Sequence, residues 1–210
     1  MTRIVIADDH AVVRKGLRLI LTDADELQVA GEAASADELL TLLRTRPVDA
    51  VILDVGLGDR DGIEVLKQIR ASFPRVPVLM ISMHSEDVFA IRALRAGAAG
   101  YIEKSAAPEL LLDAVRRVAA GGKWVSASTV ARLTANVAGE QSAALPHERL
   151  SDREFEIFRM LGGGKSVTEI ARALNLSVKT VSSHRTHILA KTGFETNAEI
   201  VDYVISNRLR

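Results

Sequence analysis

An α/β sheet of parallel strands followed by a small all-helical region is the fold class that this 210-residue sequence predicts. Three observations predict it. From residue 3 to about residue 121, short apolar runs alternate with stretches of helical periodicity, the pattern of strands joined by crossover helices. Four of these runs end on polar side chains: 3–7 leads to Asp8 and Asp9, 50–53 to Asp54, 78–81 to Ser82, and 100–103 to Lys104. After Pro146 the strand-like runs stop and only helical periodicity continues.

The strand-then-helix unit is counted five times. Helices are expected at about 10–22, 35–46, 62–72, 85–96 and 107–120, with Gly97 and Gly121-Gly122 as breaks. Ser35 and Glu38 form a capping-box pair before the second helix, and Pro108 suits the first turn of the fifth, where an N–H is not needed. Five strands and five helices in about 120 residues match a flavodoxin-like, doubly wound five-stranded parallel sheet better than a longer dinucleotide fold. One domain is therefore expected over 1–121. The stretch 122–146, which includes Gly139-Glu140-Gln141-Ser142-Ala143-Ala144, is too small-residued and polar to build a core and reads as a linker, with one helix near 126–137. Residues 147–210 then form a small all-α domain of four short helices, broken at Gly162-Gly163-Gly164, Asn175 and Gly193.

With 48% hydrophobic and 26% charged residues the composition is that of a globular chain. The absence of cysteine excludes a disulfide framework and a thiolate zinc site. The first apolar run ends on Asp8-Asp9, unlike a signal peptide, and no later run reaches membrane-spanning length, so a cytoplasmic protein with no membrane partner is expected. Net charge is zero, yet four Lys or Arg and no Asp or Glu lie between Ile170 and Phe194. That is a footprint for a polyanion, or else a solvated helix face.

In open α/β sheets ligands bind outside the carboxyl ends of the strands, and Asp8, Asp9, Asp54, Ser82 and Lys104 all fall on that edge. Clustered carboxylates repel, so a hard divalent cation is expected among Asp8, Asp9 and Asp54, and oxygen ligands favour Mg2+. Asp54 would then attack phosphorus, Lys104 would neutralise phosphoryl oxygens and Ser82 would donate a hydrogen bond. Taken singly, each acid is an ordinary strand-end residue. Taken together, the five are not. Tyr101 reads by default as a half-buried core aromatic, and His10 and His84 as tuning or surface groups near this edge. Two decoys fail on spacing: Gly56, Gly58 and Gly62 give GxGxxxG after the third strand, and Gly164-Lys165-Ser166 has Arg159 where a phosphate-binding loop needs glycine.

Over about 120 residues the pattern resembles the receiver domain of two-component response regulators. The resemblance implies that Asp54 is the phosphoryl acceptor, Asp8 and Asp9 the acidic metal-binding pair, Ser82 the switch hydroxyl, Lys104 the invariant lysine and Tyr101 the switch aromatic. It also implies that Gly56 offers its backbone carbonyl to the metal. Gly58 departs from the usual proline four residues after the acceptor, which puts the rigidity of the 55–62 loop in doubt, while Asp61-Gly62 matches its usual end.

In the C-terminal region Ser151 with Glu154 and Ser166 with Glu169 are capping boxes, Asn175-Leu176 is a tight turn, and Ser177 caps a helix from Val178 to about Lys191. Two short helices so joined are a helix-turn-helix, whose second member enters the major groove of DNA. At 100° per residue Val181 and Ile188 share the packing face, while Lys179, Ser183, Thr186, His187 and Ala190 lie opposite with Ser182 at the edge. Lys179 and Arg185 suit phosphates, and the hydroxyls suit base edges. A His184 and His187 metal pair has no third ligand nearby. The run Leu150-x-x-Arg153-Glu154, Glu169-Ile170-Ala171, Leu174-x-x-Ser177, Lys179-Thr180-Val181-x-x-His184 and Lys191-x-Gly193 is similar to the DNA-binding domain of the LuxR/NarL family. Lys179, Thr180, Ser182, Ser183, Arg185, Thr186 and His187 are the expected DNA contacts, with Ser182 standing where many members carry lysine.

Receiver plus LuxR-type helix-turn-helix implies a NarL-type response regulator: a transcription factor, not an enzyme, phosphorylated by a sensor histidine kinase and binding double-stranded DNA as a homodimer. Two alternatives stay open. One is a Mg2+-dependent phosphatase or phosphotransferase working through Asp54, against which Gly56 stands where such enzymes place a second acid. The other is a DNA-binding regulator independent of phosphorylation.

Overall fold

The computed structural model describes residues 1–58, 60–83, 86–126, 129–131, 145–207 and 209, with backbone alone for 86–88. Contacts divide the chain into two compact units, Met1–Thr134 and Ala135–Arg210, and the division falls inside the stretch 122–146 expected as a linker. No helix among the described residues is long and apolar enough to cross a membrane.

The first unit contains β1 (Thr2–Ala7), α1 (Ala11–Thr22), β2 (Leu27–Ala33), α2 (Ala36–Thr45), β3 (Ala50–Asp54), β4 (Gly56–Leu57), β5 (Arg60–Asp61), α3 (Gly62–Ser72), β6 (Val78–Ser82), α4 (Glu86–Arg95), β7 (Gly100–Glu103) and α5 (Pro108–Ala119). Five strands form one parallel sheet in the order β2-β1-β3-β6-β7. Strands β1, β3 and β6 are covered on both faces, which is why their sequences are continuous apolar runs with no alternation. Ile4, Ile6, Ile52, Leu79 and Ile81 pack one face onto Leu17 and Leu21 of α1 and Leu111, Val115 and Val118 of α5. The edge strand β2 is half-exposed and more polar. Because β1 pairs with both β2 and β3, the winding direction reverses beside it and a crevice opens at the carboxyl ends of β1 and β3.

Between β3 and α3 the chain makes a short antiparallel hairpin of β4 and β5 rather than an irregular loop. Gly58 sits in it at φ 64°, a backbone conformation closed to proline. At the opposite edge of the sheet a cleft of about 500 Å³ is lined by residues that include Asp49, Arg70, Arg75 and Lys123. Three of these are committed: Asp49 accepts three bonds from Arg3, Arg70 donates to the Pro74 carbonyl and Lys123 to the Ala98 carbonyl.

The second unit opens on a 3-10 turn at Pro146–Arg149, followed by α6 (Asp152–Gly162), α7 (Val167–Ala173), α8 (Val178–Thr192) and α9 (Asn197–Ser206). Ser151, Ser166, Ser177 and Thr196 each cap one helix by accepting a backbone N–H in its first turn. Phe158 stacks with Phe155 and Phe194 and meets the edge of Tyr203, and this aromatic cluster, with Ile157, Leu161, Ile188 and Val204, fills the core. His147 is buried beside it, its Nδ1 2.8 Å from the Tyr203 hydroxyl. Of the helix expected near 126–137, residues 129–131 are helical, whereas 127–128 and 132–137 lie outside the described residues, as do Asp59, His84 and Ser85.

Candidate functional site

Two sites are built, one on each unit. At the carboxyl edge of the sheet Asp54 ends β3, Asp8 and Asp9 follow β1, and Lys104 follows β7. Asp8 and Asp54 are 0% and 5% exposed. The Lys104 ammonium lies 2.8 Å from Asp54 Oδ2, to which it donates, and 2.6 Å from Asp8 Oδ2. The two buried carboxylates thus share one ammonium. Ligand atoms of Asp8, Asp9, His10 and Asp54 all fall within 4.8 Å of one another. A cluster of carboxylate oxygens this close, with one ammonium among them to offset their charge, fits a hard cation such as Mg2+.

Burial pushes the Asp54 carboxyl above the ordinary aspartate range; Lys104 and the Gly56 N–H oppose the rise, and the charge of Asp8 adds to it. Burial draws the Lys104 ammonium down, but its contacts with Asp54 and Asp8 outweigh that effect and hold it above the ordinary lysine value. The site therefore contains a charged lysine between two carboxylates, one of which resists ionisation.

The loops around these groups are themselves fastened. The Asp8 N–H donates to the Ala33 carbonyl and its own carbonyl accepts from Arg14 Nη1 at 2.7 Å. His10, expected as a tuning or surface group, is exposed, gives its N–H to Asp8 Oδ1 and brings Nδ1 within 2.6 Å of Asp9 Oδ1 at the rim of the acidic cluster. Gly62 was legible only as the end of a loop. A Cβ there would lie 2.2 Å from the Asp54 carbonyl oxygen, so only glycine lets α3 start so close to the strand end.

Ser82 is buried at the end of β6, and its carbonyl accepts the Lys104 N–H at 2.7 Å. Tyr101 is 1% exposed on β7, opposite Met80 in register. Gly56 is exposed, and the carbonyl expected to face a metal accepts the Gly58 N–H at 3.1 Å, leaving its second lone pair.

On the second unit α7 and α8 meet through a turn in which Asn175 adopts φ 51° and Leu176 donates to the Ala171 carbonyl. Val181 and Ile188 are fully buried, while Lys179, Thr180, Ser182, Ser183, Thr186 and His187 are exposed. Their chemistry is not uniform. Thr180 belongs to the helix cap, its hydroxyl 2.7 Å from Ser177 Oγ, and Ser183 and Thr186 donate to carbonyls one turn back. Arg185 is half-buried and donates to Asn197 Oδ1 at 2.6 Å, which ties α8 to the start of α9. Among the described residues Lys179, Ser182 and His187 make no side-chain hydrogen bond. Sequence reasoning missed the Arg185 tether because nothing in residues 170–194 signals Asn197.

Residues 4–116 match the response regulator receiver domain, and residues 148–204 match the luxR family of bacterial regulatory proteins. The chain belongs to the LuxR family of response regulators. It is 32% identical over 209 residues to the response regulator UvrY of Escherichia coli strain K12, covering 100% of this chain and 96% of that one. Among solved structures it is similar to RcsB from Salmonella enterica serovar Typhimurium bound to the promoter rprA with the phosphomimetic BeF3−, at 28% identity and a TM-score of 0.74 over 96% of this chain and 97% of that one. A structure of two RcsB dimers bound to two parallel DNAs matches at 29% identity and a TM-score of 0.60, over 98% of both chains.

Proposed function

We propose that this LuxR-family regulator is switched by Mg2+-dependent phosphorylation of Asp54 by a partner sensor histidine kinase, which favours a homodimer that binds double-stranded DNA through α8. The observation that carries the reading is the seat of Asp54, buried at a strand end against Lys104 and within 4.8 Å of Asp8 and Asp9 by their ligand atoms. RcsB bound to promoter DNA with a phosphomimetic, and as dimers on DNA, supports it. In this reading a receiver over 1–121 acts in the cytoplasm through a linker over 122–146 on a DNA-binding domain over 147–210.

In the reaction one Asp54 oxygen attacks phosphorus as the bond to the donor breaks. Lys104, already 2.8 Å from that carboxylate, carries the charge of a phosphoryl oxygen, and Ser82 donates a hydrogen bond to another. Asp8, Asp9 and Asp54 would hold Mg2+, with the Gly56 carbonyl beside them, and the bound ion supplies positive charge where phosphate arrives. Ser82 and Tyr101 then carry the change to the rest of the unit. A small-molecule phosphatase is the poorer reading, because Gly56 offers no acid to the leaving group.

Incubation with Mg2+ and acetyl phosphate, followed by intact mass and DNA binding, tests the proposal. One phosphate should appear, be lost in Asp54→Asn and in chelator, and accompany tighter DNA binding. Ser82→Ala should take up phosphate and lose most of that gain. Labelling of Asp54→Asn overturns the assignment, and DNA binding indifferent to labelling supports a phosphorylation-independent regulator.

A further inference from the structure

The chain leaving α5 does not depart from the sheet at once. It turns at Gly121-Gly122 and lays Trp124 beside Gly100 as a one-residue parallel strand on the outer edge of β7. The Trp124 N–H donates to the Ala99 carbonyl at 3.0 Å, and the Tyr101 N–H donates to the Trp124 carbonyl at 3.3 Å. Lys123 Nζ adds a bond to the Ala98 carbonyl at 2.9 Å. Gly100 permits the approach: a Cβ there would lie 2.7 Å from the Trp124 carbonyl oxygen and 2.8 Å from Trp124 Cβ. The indole packs half-buried against the apolar cluster beneath α1 and α5.

We propose that this bridge is a release point through which the state of Asp54 reaches the segment leading to the second unit. The proposal rests on the phosphorylation of Asp54. The strand that donates to Trp124 from Tyr101 runs directly into Lys104, whose ammonium contacts Asp54 and Asp8 and whose N–H is held by Ser82. A phosphoryl group on Asp54 draws Lys104 to new oxygens and pulls the end of β7 inward, toward β6. The Tyr101 N–H faces the other way, toward Trp124, so an inward shift lengthens its bond. A bridge of one residue has no neighbouring ladder to hold it, and each of its bonds contributes only modestly in net terms. It opens in the phosphorylated state and frees Trp124 with the chain that follows.

The full-length protein carries its own reporter, since Trp124 is the sole tryptophan. With Mg2+ and acetyl phosphate, and phosphate uptake followed by mass, the Tyr101 and Trp124 amides should exchange about tenfold faster or more. Quenching of Trp124 emission by acrylamide should rise in parallel, and Asp54→Asn should keep the unphosphorylated values. Unchanged or stronger protection at full phosphate occupancy overturns the proposal. Failure to take up phosphate instead overturns the reading of Asp54, and the bridge is then judged by Gly100→Ala. Its methyl group should open the bridge without phosphate, speed exchange at Trp124 and tighten DNA binding by about fivefold or more. An opened bridge with unaltered DNA affinity overturns the proposal. If Gly100→Ala does not fold, Trp124→Pro, which lacks the N–H given to Ala99, takes its place, with exchange read at Tyr101 and the same two outcomes.

Discussion

Burial raises the Asp54 carboxyl while Lys104 draws it down, and the net rise means that its ionised form is held at the expense of folding. Its pKa lies near 3.8 in the unfolded chain and higher in the fold, so this group's contribution to stability falls as pH rises from about 3.8 through the folded value. In chelator at neutral pH Asp54→Asn should therefore be more stable than the wild type by about 1–2 kcal/mol in urea unfolding, and Mg2+ should stabilise the wild type more than the variant. A less stable Asn variant would show that the Lys104 pair outweighs desolvation. Asp49 behaves in the opposite sense. Hydrogen bonds from the Arg3 side chain and N–H hold it at about 2, so its contribution is complete above 3.8 and is lost as pH falls toward 2. Over that window the unfolding midpoint of the wild type should drop faster than that of Asp49→Asn. Asp8, Asp9, Asp54, Ser82 and Lys104 were legible in the sequence because their convergence needs only strand periods and parallel order. The Arg14 bond to the Asp8 carbonyl, the contact of His10 with Asp9 and the contact of Gly62 with Asp54 were not, because they depend on how loops close.

At the scale of elements, hydroxyl caps and apolar periodicity located α1 to α5, α8 and the starts of α6 and α7 to within about a residue or two, as local bonding permits. What escaped was set by partners distant in sequence. Helix α6 ends at Gly162, at the expected break, but the reason that residue is glycine lies far off in sequence: Val204 of α9 packs where a side chain would sit, 2.4 Å from an added Cβ. Trp124 joins the sheet and His147 enters the core for reasons that no local pattern carries. Glu154 is the sharpest test of how caps and tertiary contacts combine. It is 4% exposed, accepts the N–H and hydroxyl of Ser151, and receives the Lys191 ammonium at 2.7 and 2.8 Å. Burial raises its carboxyl, yet Lys191 and Ser151 hold it below 4.5, so its contribution is present above that value and is lost on acidification. Glu154→Ala should cost about 1–2 kcal/mol in chemical unfolding of the second unit, and Lys191→Ala less, because the lysine side chain is 45% exposed. Equal losses would mean that the ion pair, and not the cap, supplies the stability.

At the scale of the whole molecule, one small helical domain buries little surface on DNA, which is why the proposed function has two copies bind, most simply as a homodimer on symmetry-related half-sites. The fold narrows which side chains such a dimer can offer. Thr180 is engaged in the cap of α8 and Arg185 is held by Asn197, whereas Lys179, Ser182 and His187 face solvent without side-chain hydrogen bonds among the described residues. Ser183 and Thr186 donate to their own helix, so in the proposed reading they would meet base edges as acceptors. Lys179→Ala should accordingly weaken binding to all sequences alike and lower the salt slope of log K by about one unit per protomer, the signature of one phosphate neutralised. Ser182→Ala should leave the slope unchanged and alter base preference, and Arg185→Ala should lower the stability of the second unit more than the slope. If Lys179→Ala instead changed sequence preference with the slope intact, Lys179 would be reading bases rather than neutralising a phosphate, and α8 would lie in the groove with its Lys179 end turned from the backbone toward the base edges.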